Sequence, residues 1–173
     1  MVDTQFSPAG AAPVPAPRAA LTLGDTLAWP ARYLPRKEAL VVSDAQGRRA
    51  WTYAELDAEV NRHAHGLQQL GIGQGDVVAA FMYNTPAFVF TLLATARLGA
   101  IFNPINYRLA AQELAFILQD GSAKALVFED EGAAVVEKAR LLVPQVQHWI
   151  HADPGAAPAF ATAQLAALAA ELP

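Results

Sequence analysis

No cysteine occurs in the 173 residues, so disulfides, thiolate metal ligands and a cysteine nucleophile are all excluded. Charge is sparse: Asp, Glu, Lys and Arg make up 16 % of the chain, with a formal net charge of −4. No basic cluster appears, which argues against a nucleic-acid partner. Long apolar runs are missing too. The most apolar stretch, PAFVFTLLATARLGAIF, is broken by Arg97 and Gly99, whereas a membrane-spanning helix needs about 20 apolar residues in succession. The opening residues, MVDTQF, have neither a basic segment nor an apolar core and do not read as a secretory signal. A cytoplasmic protein without a membrane span is the expectation.

What is present is ample material for a core: 54 % of the residues are hydrophobic. Residues 1–20 are rich in proline and alanine and are expected to be a flexible lead-in. LGDTLAWPARYLP reads as a short helix interrupted at Pro30, and ALVVSDAQGRRAWTY as two strands around a turn from Asp44 to Gly47. Thr52 and Glu55 then form a capping box, with Trp51 and Leu56 placed as a hydrophobic staple. Leu56, Val60, Ala64, Leu67 and Leu70 recur at helical spacing, and Gly71 supplies the stop. From there short apolar strands alternate with helices: DVVAAF, AIFN, KALVF and VQHWI are the strands. That alternation predicts an α/β fold with a parallel, doubly wound sheet flanked by helices. Residues 21–151 would form this unit, and residues 152–173 a linker with a weak terminal helix.

The glycines Gly71, Gly73 and Gly75 invite a phosphate-loop reading. A dinucleotide loop leads from a strand into a helix, so that helix N–H groups face the phosphate. Here the order is helix, glycines, strand, which reads as a structural turn. His63 and His65 point to nearly opposite sides of a helix and do not share an ion easily. His148 and His151 end a strand with no obvious carboxylate partner, and all four histidines read as surface or satisfied groups. Glu129 to Glu131 either hold a cation or, the favoured reading, form an acidic helix start; Asp25 and Asp44 read as a cap and a turn residue. No catalytic triad or paired carboxylates stand out. In an open parallel sheet, ligands bind beyond the carboxyl ends of the strands. Those ends are MYNT and NPINYRL, and the second puts Asn103, Asn106, Tyr107 and Arg108 in one loop. Arg108 there either clamps a phosphate in two-pronged fashion or pairs with a nearby acid or carbonyl.

Residues 21–151 resemble the N-terminal part of the adenylate-forming acyl-CoA synthetases. WTYAEL resembles their T-Y-x-E-L motif, and ARLGAIFNPINYRL resembles a G-A-x-x-x-P segment followed by N-x-R-L. ELAFILQDGSAKALVFED resembles what usually follows. The resemblance implies the N-terminal subdomain of that fold and a reaction in two halves. A carboxylate, expected to be a fatty acid, attacks ATP to give an acyl-adenylate and pyrophosphate; the thiol of coenzyme A then displaces AMP. It implies ATP, Mg2+ and coenzyme A as cofactors of the whole enzyme, and is compatible with a homodimer. The family's Ser/Thr/Gly-rich phosphate loop ending in P-K-G, its aromatic-acidic motif, its ribose-binding aspartate and its terminal lysine are all absent before Pro173. The resemblance therefore implies an N-terminal fragment, inactive alone, with no catalytic residue and no metal ligand of its own. It places Asn106, Tyr107 and Arg108 beside the coenzyme A nucleotide. The rival expectation is a stand-alone α/β binding or interaction module without catalysis.

Overall fold

The computed structural model describes residues 22–45 and 47–170. The proline- and alanine-rich lead-in lies outside the described residues. A single 3-10 turn at Leu23–Asp25 precedes α1 (Ala28–Tyr33). Pro30 does not interrupt α1 but stands in its first turn, where backbone N–H groups have no partner within the helix.

Strands β1 (Glu38–Asp44) and β2 (Gly47–Thr52) pair antiparallel and deliver the chain into α2 (Tyr53–Gln69). The capping box is formed. Thr52 Oγ1 accepts the Glu55 N–H at 3.3 Å, and the Glu55 carboxylate accepts the Thr52 N–H at 2.8 Å. One stripe of α2, including Leu56, Val60, Ala64 and Leu67, is buried, as the 3.6-residue period requires.

The main sheet contains β3 (Val77–Phe81), β4 (Ile101–Ile105), β5 (Ala123–Phe128), β6 (His148–His151) and the short β7 (Ala163–Gln164). All pairings are parallel, in the order β4-β3-β5-β6-β7. β7 falls in the stretch read from sequence as linker; two residues carry too little periodicity to reveal a strand. Among the described residues the remaining α-helices are α3 (Pro86–Arg97), α4 (Ala111–Asp120), α5 (Ala133–Ala139) and α6 (Leu165–Ala170).

Side chains alternate along a strand, so the central strands feed two cores. Val78 and Ala80 of β3 and Ala125 and Val127 of β5 join Leu67, Phe90 and Leu165 on one face. Ala79 and Phe81, with Leu126 and Phe128, join Leu114, Leu118 and Val136 on the other. α3 covers the first face as the chain moves out to β4. α4 and α5 cover the second as it returns to β5 and moves on to β6. Right-handed crossovers demand this arrangement.

The glycine loop after α2 sits where the strands begin. Gly71 takes φ 76°, a left-handed conformation that ends the helix. Lys124 Nζ, at the start of β5, donates to the Gly71 carbonyl at 2.7 Å and the Asp76 carboxylate at 2.8 Å. That lysine, helped by the Gly73 N–H, holds the Asp76 carboxyl below its usual range. The loop is a pinned turn at the edge opposite the strand ends where ligands bind.

α6 lies directly on α2 at Gly66. A Cβ there would stand 2.6 Å from Leu168 Cβ and 2.8 Å from the Leu168 carbonyl oxygen. Gly66→Ala should favour an isolated α2 by about 1 kcal/mol, yet it must push the α6 backbone away. The expected result is lost amide-exchange protection confined to residues 165–170. Undiminished protection there together with a raised melting temperature would show that the approach is not close.

His63 is buried on α2 with its ring 5.2 Å from that of Phe90, and its Nδ1–H donates to the Glu59 carbonyl at 2.8 Å. Burial pushes its pKa below the ordinary value, with partial relief from Glu59. Burial also lowers His148. A lowered histidine stays neutral in the fold while the unfolded chain takes up its proton. The contribution of these two histidines to stability is therefore level above pH about 6.5 and falls as pH drops below it. Asp76 and Glu55, whose carboxyl pKa values are lowered, lose their contributions only further down, below their ordinary values of 3.8 and 4.5. Urea midpoints between these two windows should decline with falling pH, and His63→Leu should flatten the decline. A pH-independent midpoint in that interval would refute the assignment.

Candidate functional site

All five strands of the main sheet end at one edge. β3 and β5 are neighbours there, but α3 leaves toward β4 and α5 toward β6. A reversal of this kind opens a crevice between the two strand ends, the usual ligand position in such sheets.

Glu129, the first residue past β5, spans that crevice. It is 5 % exposed. One carboxylate oxygen accepts the Tyr83 N–H at 3.0 Å, and the other accepts the Thr85 hydroxyl at 2.7 Å. Thr85 is the N-cap of α3 and makes no side-chain cap bond, because its hydroxyl is directed to Glu129 instead. Glu129 also lines a cleft of about 560 Å³ beside the hairpin, with Trp51, Phe90 and Asp153.

The turn that follows, Asp130–Gly132, is tied to the end of β6. Asp153 accepts the Asp130 N–H at 2.6 Å, and His151 Nε2 lies 2.8 Å from Asp130 Oδ1. The second ring nitrogen of His151 is buried without a partner. The hydrogen-bond network therefore puts the proton on Nε2, donated to Asp130. The acidic run does open a helical stretch, Asp130–Gly132 forming a 3-10 turn that leads into α5, while Glu129 before it is a buried clamp. His151 does have a carboxylate partner, contrary to expectation. Sequence separation hid it, since parallel pairing of β5 with β6 brings residues 130 and 151 together. The signal that could have found Glu129 is its place as the first polar residue past a buried strand.

The second group stands past β4. Asn106 Oδ1 accepts the Arg108 N–H at 3.1 Å, and the Asn106 carbonyl accepts the Leu109 N–H at 3.2 Å. Glu113 accepts the Ala110 N–H at 2.8 Å, closing the loop into α4. Arg108 Nε donates to the Tyr107 hydroxyl at 3.0 Å, and the guanidinium carbon lies 5.3 Å from the centre of the Tyr107 ring. The Tyr107 ring stands 4.1 Å from that of Tyr83, centre to centre, at a tilt of 46°. Among the described residues no carboxylate lies within 4.0 Å of the Arg108 guanidinium, whose side-chain contacts there are with Tyr107. Asn106, Tyr107 and Arg108 are brought together, joined by Tyr83. Asn103 is not in the loop; it belongs to β4, half-buried, facing Gly121. Desolvation raises the Tyr83 hydroxyl pKa, with Glu131 and Tyr107 adding to the effect and Arg108 opposing it.

Of the other histidines, His63 is a satisfied core group and His65 is exposed on the opposite side of α2. Asp130, His151 and Asp153 place three ligand atoms within 4.8 Å of one another. Mg2+ prefers octahedral oxygens, and this set offers two oxygens and a nitrogen already engaged with one another. A metal on Nε2 would also move the ring proton to a nitrogen with no acceptor. The set fits a hydrogen-bonded lock better than an ion site. The glycines at residues 71–75 lie at the wrong edge for ATP phosphates. The Tyr83, Tyr107 and Arg108 group has the chemistry for a nucleotide: π faces for a base and a planar cation for phosphate.

Comparison with known proteins agrees with this edge-centred fold. The AMP-binding enzyme family matches residues 27–170. A long-chain-fatty-acid–CoA ligase, FadD13 of Mycobacterium tuberculosis, is 39 % identical over 122 residues, covering 69 % of this chain and 24 % of that protein. A feruloyl-CoA synthase of an Amycolatopsis species is 40 % identical over 108 residues, covering 62 % of this chain and 22 % of the other. The chain thus spans about a quarter of the length of these curated relatives. Among solved structures, the inhibitor-bound N-terminal domain of FACL13 from M. tuberculosis superposes with a TM-score of 0.74 at 35 % identity, covering 86 % of this chain and 35 % of that one. A putative long-chain-fatty-acid CoA ligase from Rhodopseudomonas palustris gives 0.77 at 30 % identity, covering 88 % and 37 %. With the family matched across nearly all of the described residues and the doubly wound sheet shared with these ligases, the chain belongs to the AMP-binding enzymes, the adenylate-forming acyl-CoA synthetase family.

Proposed function

We propose that this chain is the N-terminal α/β part of an ATP-dependent, AMP-forming acid–CoA ligase. The whole enzyme joins a fatty or similarly apolar carboxylic acid to AMP, releasing pyrophosphate, and then passes the acyl group to the thiol of coenzyme A as AMP leaves. ATP, Mg2+ and coenzyme A are its cofactors, the cytoplasm its location, and a homodimer its candidate assembly. The segment supplies scaffold and one wall of the coenzyme A nucleotide site, made by Asn106, Tyr107 and Arg108. It supplies no catalytic residue and forms no adenylate alone.

The observation that carries the reading is Arg108, a guanidinium with no carboxylate within 4.0 Å among the described residues, set against an aromatic pair at the carboxyl edge. The surface supports a piece of a larger enzyme: Phe116 of α4 and Leu141 and Leu142 after α5 are 67 %, 72 % and 53 % exposed. We read these open apolar side chains as surface that another segment of the enzyme covers.

Two measurements test the proposal. The 173-residue chain should give no acid-dependent ATP–pyrophosphate exchange with any of a panel of carboxylic acids; robust exchange would overturn the inactivity. Coenzyme A should bind Arg108→Gln about tenfold more weakly than the parent, the loss of one charge-assisted contact worth about 1.5 kcal/mol. Equal affinities would remove Arg108 from the site.

A further inference from the structure

Glu129 is an expensive residue where it stands. Acidic side chains are seldom buried this deeply unless every oxygen is matched, and an apolar residue would avoid the desolvation penalty. Its partner breaks a second local rule. Threonine at an N-cap ordinarily turns its oxygen to the helix N–H groups, and Thr85 gives that up for Glu129. Departures of this kind gather where function sets the conformation.

What the two bonds fix is the path between β3 and α3. They seize the Tyr83 N–H and the Thr85 hydroxyl on either side of Asn84. That path presents the Tyr83 ring to Tyr107, whose hydroxyl in turn receives Arg108 Nε. Glu129 is itself anchored from behind. Asp130 is tied to Asp153 and His151. Gly132 rests on Phe81 so closely that a Cβ would come within 2.8 Å of the ring. The clamp therefore has a rigid side, β5 and its turn, and a side that it disciplines, the Tyr83 loop.

We infer that Glu129 is the positioning residue of the Tyr83–Tyr107–Arg108 platform, setting the placement of its rings and guanidinium through the main chain of Tyr83. The inference rests on the reading of that platform as a wall of the coenzyme A nucleotide site. Glu129 acts through Tyr83 and has no contact with the nucleotide.

The first test needs no ligand. Nuclear Overhauser contacts between the Tyr83 and Tyr107 rings should be present in the parent protein, retained in Glu129→Gln, which keeps an acceptor for the Tyr83 N–H, and lost in Glu129→Ala. Ring contact surviving in Glu129→Ala overturns the inference whatever the platform binds. The second test titrates adenosine 3′,5′-bisphosphate, the nucleotide portion of coenzyme A. Glu129→Ala should bind it about tenfold more weakly, Glu129→Gln nearly as the parent, and Thr85→Val in between. The double variant with Arg108→Gln should be no weaker than Arg108→Gln alone, because both changes disable one platform. Strictly additive losses, or parent-like affinity in both Glu129→Ala and Thr85→Val, overturn the positioning role. If the parent and Arg108→Gln bind the nucleotide alike, the nucleotide reading fails, and the ring contact still decides the role of Glu129.

Discussion

The structure depends on the parallel pairing of β3 with β5, two short strands buried on both faces. Five residues of β3 and six of β5 hold the centre of the sheet. Their side chains are apolar on each side because helices cover both. A single strand register thus commits the two cores at once, since slipping by one residue would exchange them. Everything at the carboxyl edge inherits its position from this pair.

Polar chemistry in the chain is sorted by that sheet. At the edge where strands begin, Lys124 and Asp76 tie the glycine turn in place. At the opposite edge, Glu129 joins the ends of β3 and β5, while the His151–Asp130 pair joins β5 to β6. Each link bridges neighbouring strands just where ladder hydrogen bonds run out and backbone groups need other partners. Past β4, the edge strand, the loop is closed by its own residues, and Arg108 bonds Tyr107 with no carboxylate within 4.0 Å among the described residues. The same physical need for satisfied polar groups therefore produces locks in the middle of the edge and, at its end, a cation held against an aromatic ring.

Much of the fold was legible from local pattern. The capping box at Thr52, the stripe of α2, the glycine stop at Gly71 and the alternation of apolar strands with helices all rest on short-range geometry. They appear in the structure for those reasons. β7 was not legible, because two residues paired to a distant strand leave no periodic trace. Of the site, Asn106, Tyr107 and Arg108 could be picked out as polar residues past a strand end. The pairing of Tyr83 with Tyr107, the role of Glu129 and the partner of His151 could not, because each rests on a contact across more than twenty residues of chain.

By itself the sequence determined the class of fold, the family and the absence of a phosphate loop between the described strands and helices. Those follow from residue order, from which periodicity, caps and motif spacing are read directly. The tertiary structure alone decided that Glu129 is buried across the switch point, that Thr85 abandons its cap, and that Arg108 has no carboxylate within 4.0 Å among the described residues. The reason is that burial and pairing are properties of strands laid side by side, and their order, β4-β3-β5-β6-β7, is not the order of the chain.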